Sequence, residues 1–364
     1  MIKITSVLLR LAVSVLLFIS MTSCHDNDVI DDNEMPISEF TLGADVSWLT
    51  EMESNGHRFH DVGGRENDCI SLLKSYGISA VRLRVWVNPA EHGEWCDKYD
   101  VLAKALRAEA QGMDIMIDFH YSDWWADPSK QNIPAEWCRH TYEELKTDVA
   151  RHTSDVLQLL KDNHITPKWV QIGNETRNGF LWPVGQADKH PEQYAGLFMS
   201  GHDAVKKIFP DTKVIVHLDN GADYYLYEWN LNILRKYGAH WDIIGTSVYP
   251  YWSMMSGRYT SEDEVINKSV DNIKFLGMKY GCDVMIVETG MECADDNGRL
   301  ADDVRLEKSR CQLLKLLKSS RDNTNGYCNG VFYWEPECTP SAYRLGAFTE
   351  DGRPTKIMDA FREL

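Results

Sequence analysis

From residue 41 onward the sequence alternates eight times between a short apolar or β-branched run and a longer amphipathic one, and this alternation constrains the fold more than any other feature. The short runs are TLGADVS (41–47), AVRLRVW (80–86), DIMIDFH (114–120), WVQIGNE (169–175), KVIVHLD (213–219), WDIIGTSVY (241–249), DVMIVETG (283–290) and GVFYWEP (330–336). Between them, segments such as DVLAKALRAEAQG and YEELKTDVARHTSDVLQLLKDN repeat apolar residues at spacings of three and four, and several end in Gly, a common helix C-cap. Strands that open on near-continuous apolar residues suit a parallel sheet buried on both faces. Eight strand–helix units in succession predict an α/β protein, a closed (β/α)8 TIM barrel forming a single domain over 41–364. The first strand is not followed by GxGxxG, which weakens the alternative of an open dinucleotide-binding sheet.

In such barrels the functional face lies at the C-terminal ends of the strands. Here those ends carry Asp45, Arg84 with Trp86, His120, Asn174 with Glu175, His217, Tyr249, Glu288 and Trp334. Core packing alone would place Val and Leu there. Two of the endings are Glu, on the fourth and seventh strands, which face each other across the mouth of a closed ring. Two carboxyls across one mouth match the needs of a glycosidase. A retaining enzyme sets them roughly 5–5.5 Å apart and an inverting one roughly 6.5–9.5 Å apart, to admit a water. The chain also contains 12 Trp. Trp86, Trp124, Trp125, Trp182, Trp252 and Trp334 fall at strand ends or in the following loops, where their rings are expected to stack on the C–H faces of sugars.

The segments GADVS (43–47), VRLRVWVNP (81–89), DFHYSDWWADP (118–128), VQIGNE (170–175), LWPVG (181–185), SVYPYW (247–252) and VETG (287–290) resemble glycoside hydrolase family 53, the endo-β-1,4-galactanases of clan A, across the chain from residue 41. The resemblance implies retaining hydrolysis of β-1,4-galactan or type I arabinogalactan, with Glu288 as nucleophile and Glu175 as acid/base. It further implies that Arg84 and Tyr249 hold Glu288, that Asn174 donates to the sugar 2-hydroxyl, and that Trp334 is the platform under the cleaved sugar. His120 and His217 are expected to reach sugar hydroxyls or Glu175. Asp45 is expected on hydroxyls, Asp123 and Asp127 as loop braces, and Trp86, Trp125 and Trp182 along the sugar path. Some relatives hold calcium in a longer loop after the eighth strand; PECTPSAYRLGAF is short, so no metal and no cofactor is expected. Trp124 and the continuation TGMECADDNG depart from the family pattern, which bears on subsite number and not on the chemistry. The competing expectations are a clan A hydrolase of β-mannan or β-glucan, and an inactive surface protein that only binds glycans.

The amino terminus has a different character. A basic start, an apolar run from Leu11 to Ile19 and the ending Met21-Thr22-Ser23-Cys24 resemble a lipoprotein signal (1–23) with Cys24 as the lipidated residue. The acidic, aperiodic stretch to residue 40 reads as a tether, and the whole as an exported outer-membrane or cell-surface lipoprotein touching membrane only through its lipid. Asp and Glu (55) outnumber Lys and Arg (38), a net charge of −17 that argues against nucleic acid as a partner. A neutral polysaccharide and a monomeric enzyme are expected. Eight further cysteines lack any CxxC spacing; in an oxidising compartment Cys96 with Cys138 and Cys293 with Cys338 are candidate disulfides between neighbouring loops, the alternative being free buried cysteines that pack as small apolar residues.

Overall fold

The computed structural model describes residues 40–364; the expected signal segment, Cys24 and the expected tether up to residue 39 lie outside the described residues. Eight parallel strands close into a barrel in chain order: β1 (Thr41–Asp45), β2 (Ala80–Val85), β3 (Asp114–Phe119), β4 (Trp169–Ile172), β5 (Lys213–Leu218), β6 (Ile243–Val248), β7 (Asp283–Thr289) and β8 (Cys328–Trp334). The β8 strand pairs back onto β1. Around them run α1 (Leu49–Ser54) and α2 (Cys69–Ser75) after β1, α3 (Lys98–Ala110), α4 (Tyr142–Asp162), α5 (Pro191–Ile208) and α6 (Tyr224–Lys236). Both α7 (Pro250–Met255) and α8 (Glu262–Tyr280) lie between β6 and β7, and α9 (Asp303–Asp322) and α10 (Asp359–Arg362) complete the ring. Local chemistry sets the helix starts. Asp97, Ser261 and Asp302 cap free backbone N–H groups, and Thr141 forms a capping box with Glu144.

The period-2 alternation of each strand divides the apolar residues between two cores. One parity faces the helices, as with Val81, Leu83 and Val85 on β2 or Val214, Val216 and Leu218 on β5. The other parity fills the barrel with Ala80, Met116, Trp169, Ile215, Ile243, Met285, Val287 and Phe332, where the rings of Trp169 and Phe332 meet edge to face. Gly43 is required in this layer, since a Cβ there would lie 2.2 Å from the Phe332 ring. Toward the C-terminal ends the same inward parity turns polar: Asp45, Arg82, Asp118, Gln171, His217 and Ser247 are all buried. The barrel is thus plugged with hydrocarbon at one end and with hydrogen-bonded charge at the other.

Two expectations are corrected. Strand β4 stops at Ile172, so Asn174 and Glu175 stand on a turn beyond it, with Gly173 at φ 78° and Glu175 itself at φ 46°. The candidate disulfides are not formed and the alternative of free cysteines holds: Cys96, Cys138, Cys293 and Cys338 are all free. Cys96 is buried with its Sγ 3.5 Å from Arg84 Nη2, whereas Cys138 is at the surface; Cys293 instead points its Sγ at the Phe348 carbonyl, 3.5 Å away. Among the described residues no helix is long and apolar enough to cross a membrane.

Candidate active site

Arg82 organises the polar end of the barrel. Register places it beside Asp45 on β1, and its guanidinium contacts Asp45 Oδ2 at 2.7 Å, Asp118 Oδ2 at 2.8 Å and Glu288 Oε1 at 2.8 Å. It also donates to Asn174 Oδ1 at 3.1 Å. A guanidinium with five N–H donors is the one side chain able to serve so many acceptors at once. This corrects the expectation for Arg84, which sits one inward position further along β2 and does not touch Glu288. Arg84 pairs with Glu335 at 3.1 Å and lies over the Trp125 ring, 4.1 Å from its centroid.

Glu288 is held on both oxygens, Oε1 by Arg82 and Oε2 by the Tyr249 hydroxyl at 3.0 Å. Glu175 has one neutral donor: the Ser247 hydroxyl reaches its Oε1 at 2.7 Å. That hydroxyl is aimed from behind by His217. The His217 Nδ1 accepts from the Glu175 backbone N–H (3.2 Å) and from Gln171 Nε2 (2.9 Å), so the imidazole proton sits on Nε2 and is donated to Ser247 Oγ at 2.8 Å. Burial and the nearby Arg82 push the His217 pKa well down, which keeps the ring neutral and the direction of the chain fixed. His120 is arranged likewise. Its Nδ1 accepts from the Ala126 N–H, its other nitrogen faces Asp118, and burial lowers its pKa.

The two carboxyls are electrostatically unequal. Burial raises both. For Glu288, Arg82 opposes the rise while Asp118 and Asp45 add to it, leaving its pKa at about 7. Glu175 is raised well above the carboxylate range by burial, then by the charge of Glu288 and of Asp219, with only the Ser247 hydroxyl in opposition among hydrogen bonds. When the pair holds one proton, that proton resides on Glu175 and the charge on Glu288.

Both carboxyls line one cleft with Trp48, His120, Trp125, Asn174, Tyr249, Trp252, Trp334 and Tyr343. Trp48 meets Trp334 and Trp125 edge to face at 5.2 and 5.5 Å, and Tyr343 meets Trp334 at 4.7 Å, so the walls are rigid aromatic surface. Asn174 has its Oδ1 occupied by Arg82, and its amide nitrogen gives one proton to Ala126 O, leaving a second N–H at the cleft. The other expected sugar contacts lie elsewhere. Trp86 is 1% exposed behind Trp125, so it supports that ring rather than a sugar. Asp45 and His217 are fully buried and act through Arg82 and Ser247. Trp182 spends its indole N–H on Asn178 O outside the cleft lining. Asp123 accepts from the backbone of Asn88 and Ala135, the loop brace expected of it. Among the described residues there is no group of three or more His, Cys, Asp or Glu placed to hold a metal.

The model of "Glycosyl hydrolase family 53" matches residues 41–359. The chain is 34% identical over 322 residues to the probable arabinogalactan endo-β-1,4-galactanase A of Aspergillus terreus, covering 85% of this chain and 88% of that protein. It is 30% identical to the endo-β-1,4-galactanase of Bacillus subtilis, over 83% of this chain and 71% of that one. A solved fungal β-1,4-galactanase superposes with a TM-score of 0.79 at 28% identity, covering 89% and 99% of the two chains. The chain belongs to glycosyl hydrolase family 53.

Four functional side chains of this family 53 enzyme escaped the sequence reading. Arg82 and Arg84 share one strand face, and only the pairing of β1 with β2 shows that Arg82 meets Asp45. Trp48 and Tyr343 come from the loops after β1 and β8, and no periodicity marks them. Ser247 carried a usable signal, since it stands in SVYPYW two residues before Tyr249 and shares its parity.

Proposed function

We propose that this family 53 enzyme cleaves internal β-1,4-galactosidic bonds of type I galactan by double displacement, with Glu288 as nucleophile and Glu175 as acid/base. The observation that carries the reading is the unequal setting of the two glutamates in one aromatic cleft. Glu288 is clamped as an anion by Arg82 and Tyr249, and Glu175 is desolvated beside it with its proton retained. The names of the fungal and bacterial relatives supply the glycan.

Each step uses side chains already described. The Glu288 carboxylate attacks the anomeric carbon while the bond to the leaving oxygen breaks, and Glu175 gives that oxygen its proton. Loss of the proton leaves Glu175 a carboxylate, no longer opposed by a second free charge because Glu288 is now an ester. Glu175 then takes a proton from water, the resulting oxygen bonds to the anomeric carbon, and Glu288 leaves as carboxylate. One water is consumed and both glutamates return to their starting states. The free N–H of Asn174 donates to the 2-hydroxyl, a contact that tightens as the ring gains oxocarbenium character. Trp334, Trp125 and Trp48 supply stacking surface for the sugars.

The test is to incubate the protein separately with β-1,4-galactan, β-mannan and cellulose and to assay reducing ends. Release from galactan alone is expected; no release from galactan overturns the reading. Glu288→Ala removes turnover while leaving galactan binding, and Glu175→Gln costs about 10²–10⁴-fold on the polymer. We also propose that the enzyme is displayed as a lipoprotein through Cys24; loss of the membrane-associated form in Cys24→Ala is the expected result.

A further inference from the structure

Outside the barrel mouth, between the start of α6 and the middle of α8, the surface sinks into a second cavity of about 500 Å³. Its lining includes the rings of Tyr224, Tyr225, Tyr259 and Phe275. Tyr225 is 78% exposed and Phe275 36%, the Phe275 ring having Lys279 Nζ 5.3 Å from its centroid. Tyr224 braces both, edge to face, at centroid distances of 5.2 and 4.6 Å. At the floor is Asn272, only 4% exposed, whose Nδ2 donates to Gly221 O while its Oδ1 has no partner. An unpartnered amide oxygen on a residue that lines the cavity favours a donor brought in from outside. The charged members of the rim are two cations, Arg258 and Lys268, and two anions, Asp223 and Asp271, so no net charge selects an ionic ligand.

The cavity adjoins the catalytic cleft, with Arg258 at the boundary. Arg258, paired with Asp223 at 3.4 Å, lines both this cavity and the part of the cleft formed by Glu175, Arg177, Asp219 and Trp252. That part contains the proton donor and not Glu288, so it lies on the side toward which the leaving portion of the chain extends. We propose that the α6–α8 face is an accessory polysaccharide-binding surface that takes up the leaving-group end of the galactan chain. C–H faces of its sugars would rest on Tyr225 and Phe275, and a hydroxyl would donate to Asn272 Oδ1. This rests on the galactanase reading above.

The test compares wild type with Tyr225→Ala/Phe275→Ala. Both are measured on polymeric β-1,4-galactan and on p-nitrophenyl β-1,4-galactobioside, whose leaving group is too short to reach α6. On the polymer, KM rises about fivefold or more from the loss of two stacking contacts. On the galactobioside kcat and KM stay as in wild type, and retardation in galactan-containing native gels is lost. Unchanged KM and retardation on the polymer overturn the proposal, as does an equal loss on both substrates. A change in self-association of the variant, seen by sedimentation, also overturns it by making this face a contact between copies. Wild type that cleaves no galactan sinks the underlying reading instead.

Discussion

At the scale of single residues, the roles of Arg82 and Arg84 separate cleanly. Arg82 is buried against three carboxylates, and removing it strands them without a counter-charge. Arg82→Met should therefore destabilise the fold by about 3–5 kcal/mol. In protein that does fold, it should lower kcat by about 10²–10³-fold through loss of the Glu288 clamp. Arg84 stacks on Trp125 and pairs with Glu335, so Arg84→Met should act mainly on KM by loosening the platform. Steady-state kinetics on the galactobioside decide this; a larger kcat loss in the Arg84 variant would contradict it. The sequence pointed to Arg84 at the end of β2 and passed over Arg82, which shares its inward parity. Which of them meets the nucleophile depends on the stagger between β1, β2 and β7, a property of three strands that no single segment records. Glu175, Glu288 and Tyr249 were legible because each stands in a short motif at the end of its own strand.

At the scale of elements, the exit from β4 is the critical turn. Gly173 lies at φ 78°, and a Cβ there would come within 2.5 Å of Thr176 Cγ2, so the chain turns there without room for a side chain. This turn swings Asn174 and Glu175 over the barrel mouth, and the left-handed φ of Glu175 is held by its N–H to His217. Gly173→Ala should cost about 1–3 kcal/mol and reduce kcat more than it raises KM. Gly112→Ala is the control: φ is also positive, but nothing lies near its Cβ, so stability falls while kcat is kept. Equal kcat in both variants would remove the turn from its role. Strand and helix existence was readable from periods of 2 and 3.6. The strand ends were misread by one to three residues because the backbone leaves the sheet while the inward parity of polar residues continues.

At the scale of the whole molecule, the barrel mouth concentrates buried carboxyls beyond the catalytic pair. Glu335 and Glu337 are both fully buried, and Glu337 has no hydrogen-bond partner for either oxygen when both are ionised. Burial, then the charges of neighbouring carboxylates, raises Glu335 to about 8 and Glu337 well above the usual range. The sign follows from proton counts. Below about pH 4.5 folded and unfolded chains are both protonated at these sites. As pH rises, the unfolded chain releases protons that the folded chain keeps, so stability from these groups falls until the folded carboxyls ionise. Glu337→Gln mimics the protonated form, and its melting temperature relative to wild type should climb from about pH 5 to about pH 8. A constant difference across that range would mean that Glu337 is ionised in the folded enzyme.

Formation of a covalent intermediate on Glu288, which Glu175 first helps to make and then to break, has a direct stereochemical readout. Proton NMR of the first products from β-1,4-galactan, recorded before mutarotation, should show the β-anomer of the new reducing end, with the α-anomer growing in later. Appearance of the α-anomer first would establish single displacement by water, with no covalent intermediate on Glu288.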